Sequence, residues 1–438
     1  MKVILTPSPL RGELYAIPSK SHVHRLLICA ALASAPTLLR CPPTSAVDIN
    51  ATINCLAALG ARITRVSEGF RVIPIDRENL PKSAVLPVVE SGSTLRFMLP
   101  VVCALGVSGR FEMAGRLPKR PLSPLDRQLK EGGVKLWWEG ENILLTQGRL
   151  APGSYTLPGN ISSQYITGLL LALPLLGGQS TLEVTGAVES EDYIKMTLDA
   201  IGEFGFTPSV KEGRYILDSP WPFVSPGEVA AEGDWSNAAF WLSAGAMPGG
   251  DITLRGLNRE SSQGDREVAL ILERMGARVE WKGDSIRVRE GARRGVEIDA
   301  RPIPDAIPVL SVVAAVSEGR TLMANAGRLR IKESDRLSAT AQTLNALGGK
   351  ARETRSLSFT ANDLLSPEPD NLIIEGLPRL VGGSVEGFGD HRMAMMAGVA
   401  AGGCTGPITL TGAEAVSKSY PHFWEDMKLV GGRVEIYE

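Results

Sequence analysis

Cysteine is scarce in this chain: five residues in 438, with no two at a metal-binding spacing. Cys29, Cys55, Cys103 and Cys404 lie in apolar segments and read as reduced core residues of a cytoplasmic protein. There is almost no excess of charge either, since 46 Lys and Arg against 48 Asp and Glu leave a net charge of -2. That excludes a surface built to coat nucleic acid and makes any anion recognition a local matter. Long apolar runs are missing. Met1-Lys2-Val3-Ile4-Leu5-Thr6-Pro7 is too short in its apolar part for a signal peptide, and the longest stretch, around 169–176, is too short to cross a bilayer. No low-complexity segment or charge run marks a flexible linker. With 44% hydrophobic residues, the chain has ample material for two domains or one large repeat assembly.

What the sequence does contain is a repeat. Small polar clusters at Ser21, Ser93, Ser162, Ser236, Asp305 and His391 each open an apolar, Ala-rich stretch, about 72 residues apart with one wider last gap. Gly60, Gly132, Gly205, Gly276, Gly348 and Gly431 keep the same interval, each ending a helical pattern such as Leu56-Ala57-Ala58-Leu59-Gly60. A period that long is a whole supersecondary unit repeated, so nearly all of the chain belongs to one α/β architecture. Each unit reads as strand, apolar helix, strand, amphipathic helix, strand. The apolar helices are expected at 25–33, 95–105, 165–176, 238–246, 307–316 and 393–401, apolar around their circumference as enclosed helices are. Amphipathic helices such as 49–59 and 268–275 show a 3.6-residue period, and strands such as 69–73 and 284–288 are rich in β-branched or aromatic residues. The handover between triplets of repeats falls near Ser19-Lys20 and near Glu232-Gly233-Asp234. Repeats one to three then form a domain over 20–231, and repeats four to six a discontinuous one from 1–19 with 232–438.

Six polar helix starts matter because helix N-termini attract anions. Ser19-Lys20-Ser21-His22-Val23-His24-Arg25 sets a lysine, a hydroxyl and an arginine at the first, suited to a phosphate or carboxylate and equally to a capped helix with solvated charges. Ser91-Gly92-Ser93-Thr94-Leu95-Arg96 lets a ligand approach the backbone closely, or else uses Arg96 to tie the loop down. Ser162-Ser163-Gln164 forms a third cradle of hydroxyls and free N–H groups. Arg120, held extended by Pro121, aims out of its loop, and Ser190-Glu191-Asp192-Tyr193 precedes the next amphipathic helix. Asp305 stands at the mouth of a strongly apolar helix, stabilised by its N-terminus but partly desolvated. In Arg330-Ile331-Lys332-Glu333-Ser334-Asp335-Arg336, a helix starting here brings the heads of Lys332, Glu333 and Arg336 together. Asp390-His391-Arg392 drops charge directly onto an apolar helix, a context that charges rarely enter without a partner or ligand. Lys418, in Ser417-Lys418-Ser419, adds a last cation.

Taken together, Lys20-Ser21-x-x-x-Arg25, Ser162-Ser163-Gln164, Lys332-Glu333-x-Asp335-Arg336 and Asp390-His391-Arg392-Met393-Ala394-Met395 resemble the enolpyruvyl transferases, and within them the branch acting on shikimate 3-phosphate. The match runs in order from Lys20 to Lys418. The resemblance implies an inside-out, barrel-like α/β fold of two similar domains, each of three βαβαββ-type repeats with buried helices, closing on substrates at their interface. It implies transfer of an enolpyruvyl group from phosphoenolpyruvate to the 5-hydroxyl of shikimate 3-phosphate, with release of phosphate, in the shikimate pathway of aromatic amino-acid biosynthesis. It also implies no metal or organic cofactor, small-molecule substrates only, no nucleic-acid or membrane partner, and a cytoplasmic monomer.

Carried over residue by residue, the resemblance assigns Ser21 and Arg25 to the shikimate carboxylate. It assigns Ser162, Ser163 and Ser190, with Tyr193 nearby, to the shikimate phosphate, and Lys332 and Asp305 to its hydroxyls. Lys20, Gly92, Arg120, Gln164, Arg336, Arg392 and Lys418 surround phosphoenolpyruvate, with Lys20 and Gln164 reaching both substrates. Two polyanions brought together need many fixed cations, which is the physical demand this set answers. Asp305 is expected as base for the hydroxyl, Glu333 for proton transfer at the methylene carbon, and Lys20 as an aid to the departing phosphate. Glu90 and Arg328 stand where many members carry Asn, and Ser91 and Ser93 differ from the common Ala and Thr, so the polarity around the substrates is this chain's own.

Two other readings compete. A transferase acting on UDP-N-acetylglucosamine shares the repeats, but that type carries a cysteine on a loop corresponding to Leu117-Pro118-Lys119-Arg120-Pro121, where none stands. A ring-shaped DNA sliding clamp needs dispersed basic residues, whereas here they gather at helix starts beside carboxylates.

Overall fold

The computed structural model describes residues 1–42, 44–188, 191–218, 221–355 and 370–438. The chain divides into two compact units, Pro18–Glu232 and Met1–Ile17 with Gly233–Glu438. Each has its own hydrophobic core.

Six repeats account for the helices in pairs. They are α1 (Lys20–Leu32) with α2 (Val47–Ala58), α3 (Gly92–Leu105) with α4 (Leu125–Glu131), and α5 (Ser163–Ala172) with α6 (Glu191–Glu203). In the other unit they are α7 (Trp235–Ala246) with α8 (Val268–Arg274), α9 (Ile307–Ala315) with α10 (Arg336–Ala346), and α11 (His391–Ala400) with α12 (Phe423–Leu429). The first helix of each pair is buried almost end to end, which is why its sequence is apolar on every side. The second buries one stripe: in α8, Val268, Ala269, Ile271 and Leu272 are buried while Leu270 stays exposed.

Each repeat closes on a four-stranded sheet. In the second, Ser83–Val89 runs parallel to Ser108–Met113, which pairs antiparallel with Ile143–Gln147, itself antiparallel to Lys135–Glu139. Alternation sets the faces, with Ala84, Leu86 and Val88 turned inward. Three strands come from elsewhere in the chain. Glu228–Ala230 supplies the opening strand of the first repeat, parallel to Thr37–Arg40, and Arg11–Tyr15 opens the fourth, parallel to Asp251–Arg255. Lys2–Thr6 fills an interior place in the sixth sheet, antiparallel to both Ile408–Thr411 and Arg433–Tyr437.

Several expectations shift by a residue or two. The capping side chains are Ser19, Ser91, Ser162, Asp234 and Asp390, so Ser21, Ser93, Ser236 and His391 lie inside the first turn instead of before it. Five of the six marker glycines have positive φ, but Gly132 does not; Gly133, at φ 99°, makes the left-handed turn there. The expected helix tail at 173–176 is a 3-10 turn over Leu173–Leu175. No α-helix spans Lys332 to Arg336: a 3-10 helix covers Gly327–Ile331, Lys332 is extended, and α10 opens at Arg336 behind Asp335 as cap. All five cysteines, Cys41 included, are buried and free.

Candidate active site

In the unit 18–232, charge gathers at the starts of the buried helices. Lys20 Nζ pairs with Asp48 Oδ2 of α2 at 2.6 Å. Five residues on, Arg25 is 2% exposed. Its guanidinium donates to Thr197 Oγ1, Thr167 Oγ1, the Tyr193 carbonyl and the Ser21 carbonyl at 2.7–3.2 Å, and it lies 5.0 Å over the Phe97 ring. All four acceptors are neutral oxygens, and among the described residues no carboxylate lies within ion-pairing distance. Burial accordingly lowers its pKa to about 10. A buried cation balanced only by dipoles favours a bound anion. His24, which shares a short His-x-His pattern with His22, is fully buried, and its Nδ1 shares a hydrogen bond with Thr52 Oγ1 at 2.7 Å.

The second cluster forms where α3 meets α5. Arg96 donates to Gln164 Oε1 and to the Pro121 carbonyl, both at 3.0 Å, and Gln164 Nε2 donates to Ser93 Oγ at 3.0 Å. Tyr165 OH donates to the same Pro121 carbonyl at 2.6 Å. Arg120 is extended ahead of Pro121. A Cβ at Gly92 would lie 2.6 Å from Arg96 Nη1 and 2.7 Å from Arg120 Nη1, so a methyl group there would push aside the two guanidinium groups that converge on this glycine. Ser162 caps α5, with its Oγ accepting from Gln164 N, and Ser163 is buried in the first turn. Ser190 lies outside the described residues.

In the other unit, Arg336 is the hub. It is 1% exposed and donates Nε and Nη2 to Asp390, Nη1 to Asp305 at 2.6 Å and Nη2 to Glu333 at 2.6 Å. Asp390, fully buried, also accepts from Ser334 Oγ and from the Arg392 backbone N–H. Lys332 Nζ lies 3.3 Å from Asp305 Oδ1, and Arg392 Nη2 3.9 Å from Asp305 Oδ2. Burial alone would raise the Asp305 carboxyl, but Lys332, Arg336 and Arg392 outweigh it and hold the group well below the usual carboxylate range. Burial lowers the Lys332 pKa, a pull Asp305 opposes and Arg328 and Arg336 reinforce. Lys418 Nζ donates to the Gly389 carbonyl at 2.7 Å, beside Asp390.

This geometry is a set of fixed cations with carboxylates among them. A profile of the EPSP synthase (3-phosphoshikimate 1-carboxyvinyltransferase) family matches residues 4–427. The chain belongs to that family. A 3-phosphoshikimate 1-carboxyvinyltransferase of Clostridium kluyveri is 38% identical over 434 residues, covering 99% of this chain and 98% of that protein. One from Clostridium perfringens is 41% identical over 436 residues, 98% of each. Among solved structures, an EPSP synthase of Acinetobacter baumannii matches with a TM-score of 0.78 at 24% identity over the whole of both chains. The enolpyruvyl transferase NikO of Streptomyces tendae matches with 0.74 at 20%, over 99% of this chain and 98% of that one. These two speak for the fold, the inside-out α/β architecture of enolpyruvyl transferases.

Within the EPSP synthase family frame, the structure brings Asp305, Lys332, Glu333, Arg336 and Arg392 together in one unit, and Gly92, Arg120 and Gln164 in the other. Asp48, the partner of Lys20, carries no mark in the sequence beyond an acid in a first helical turn. Arg96 does more than tie down its own loop: it joins three segments of the candidate site. Of the two departures, the Glu90 carboxylate packs where a Cβ on Gly115 would stand, 2.4 Å from its Cδ, and Arg328 adds positive charge near Lys332. No helix among the described residues is long and apolar enough to cross a membrane.

Proposed function

We propose that this chain transfers the enolpyruvyl group of phosphoenolpyruvate to the 5-hydroxyl of shikimate 3-phosphate and releases phosphate. The observation that carries the substrate assignment is Arg25, a buried cation with four neutral acceptors and room in its charge balance for a carboxylate. Ser21 stands with it; Ser162, Ser163 and Ser190, with Tyr193, take the phosphate; Lys332 and Asp305 take the hydroxyls. Lys20, Gly92, Arg120, Gln164, Arg336, Arg392 and Lys418 surround phosphoenolpyruvate.

The hydroxyl oxygen adds to C2 of phosphoenolpyruvate while C3 takes a proton, giving a tetrahedral intermediate. C3 then returns a proton as the C2–O bond to phosphate breaks. Asp305 accepts the hydroxyl proton, Glu333 serves C3, and Lys20 assists the leaving phosphate. Lys332, Arg336 and Arg392 suppress the basicity of Asp305. A polyanionic substrate that draws on those same cations restores it, so binding itself switches on the base. We read the protein as a monomer, and its five free thiols are in keeping with the cytoplasm.

The test is phosphate release with both substrates, followed by replacement of the acceptor with UDP-N-acetylglucosamine. Release with shikimate 3-phosphate alone is expected; release only with the sugar overturns the reading.

A further inference from the structure

Within electrostatic reach of the Arg392 guanidinium lies a carboxylate with no role in the scheme above. Asp265 sits in the 3-10 helix Gly264–Glu267 and is 2% exposed. Its Oδ2 accepts the hydroxyl of Ser236, in the first turn of α7, and its buried Oδ1 has no hydrogen-bond partner among the described residues. The main chain of that same serine holds the arginine: the Ser236 carbonyl accepts from Arg392 Nη1 at 2.7 Å. The segment holding Asp265 is itself braced, since Gln263 accepts from Trp235 N at 3.0 Å and donates to the Gly233 carbonyl at 2.8 Å. The Phe240 ring, 5.7 Å from the Arg392 guanidinium carbon, supports the arginine from α7 as well. A continuous path therefore runs from Asp265 through Ser236 to the arginine.

We infer that Asp265 is a positioning residue for Arg392: by gripping the Ser236 hydroxyl it fixes the carbonyl that aims this guanidinium at an anionic substrate. The inference rests on the proposed function in taking phosphoenolpyruvate as that anion.

The charge of Asp265 tunes the same contact. Burial first, and then repulsion from Asp305 and Asp234, push its carboxyl up to about 7, against the pull of Arg392 and of the Ser236 hydroxyl. Asp305 faces it from the turn before α9, Arg392 from α11, and Asp234 with Ser236 from α7. Below that pH Asp265 is neutral; above it, a new negative charge beside Arg392 competes with the substrate.

The experiment compares KM for phosphoenolpyruvate in the full chain and in Asp265→Asn, an uncharged isostere, from pH 6 to 8.5. The ratio of wild type to variant cancels the ionisation of the substrate. It is expected to climb from near one at pH 6 to roughly five at pH 8.5, the size of one added charge in a partly screened site. KM for shikimate 3-phosphate changes less. Ser236→Ala, which cuts the path but keeps the helix, is expected to raise KM for phosphoenolpyruvate about five-fold even at pH 6, with an unchanged Tm. A ratio constant with pH, or a Ser236→Ala enzyme with wild-type KM, overturns the inference. A wild-type chain that turns nothing over defeats the functional reading instead. The same ratio is then sought in calorimetric dissociation constants for phosphoenolpyruvate, and its absence there also overturns the inference.

Discussion

Arg336 donates to Asp390, Asp305 and Glu333 at once, and this one side chain explains why its neighbourhood is so charged and so buried. Its attraction to Asp390, Glu333 and Asp305 overcomes the burial that would otherwise disfavour its charge. The motif Lys332-Glu333-x-x-Arg336 could be seen in the sequence, but its geometry could not. Helical spacing suggested that the three heads meet on one helix end; they meet because Asp305, far away in sequence, stands between Lys332 and Arg336. Spacing arguments see partners three or four residues apart, and the decisive partners here are brought in by the fold. The consequence for Asp305 can be tested. Asn in its place keeps an acceptor for Arg336 but can neither take a proton nor balance the cations. Asp305→Asn is expected to lower kcat by about 10²–10⁴-fold, the usual contribution of a general base. Because the cations are then less neutralised, KM for phosphoenolpyruvate should hold or fall. A variant with near-normal kcat removes Asp305 from the role of base.

At the scale of elements, the buried helices were legible because burial on every side leaves a compositional mark that needs no partner to be named. Their ends were less so: the cap of α1 is Ser19 and not the Ser21 that marks the repeat, and the left-handed turn after α4 falls on Gly133, since adjacent small residues offer the same chemistry. Contacts between helices left no readable trace at all. Gly168 of α5 presses so close to α3 that a Cβ there would lie 2.2 Å from the Arg96 carbonyl oxygen and 3.0 Å from Pro100 Cγ. That carbonyl is the one whose helical partner N–H is missing at Pro100. Gly168→Ala must therefore part the helices, at a cost of about 1–3 kcal/mol for overpacking. Tm should fall by roughly 3–10 °C for a unit of this size. Arg96, displaced with its carbonyl, should loosen its hold on Gln164 and on the Pro121 carbonyl, and KM for phosphoenolpyruvate should rise. Gly153→Ala, where nothing lies within 4 Å of the new methyl group, is the control and should leave both unchanged. If the two variants melt together, close packing at Gly168 is not what holds α3 and α5 in place.

For the whole molecule, the unusual fact is where the chain ends are used. Val3 is fully buried and pairs with Leu410 on one side and Ile436 on the other, so the first strand of the protein completes the sheet of its last repeat. The following strand, Arg11–Tyr15, opens the fourth repeat before the chain passes into the unit 18–232. The first seventeen residues thus tie two sheets of one unit and none of the other. Because each unit has a separate core, damage at Val3 should stay in one of them. Val3→Asp places an unpaired carboxylate between two strands, which costs several kcal/mol by desolvation. Hydrogen exchange on the full-length variant should speed up across Met1–Ile17 and Gly233–Glu438, most of all in the strands at 408–411 and 433–437, and leave the amides of Pro18–Glu232 protected. Turnover should be lost, because Arg336, Asp305 and Arg392 lie in the weakened unit, whereas the surroundings of Arg25 persist. Equal acceleration throughout the chain would mean that the two cores unfold as one, and the repeat would then be a single cooperative unit instead of two.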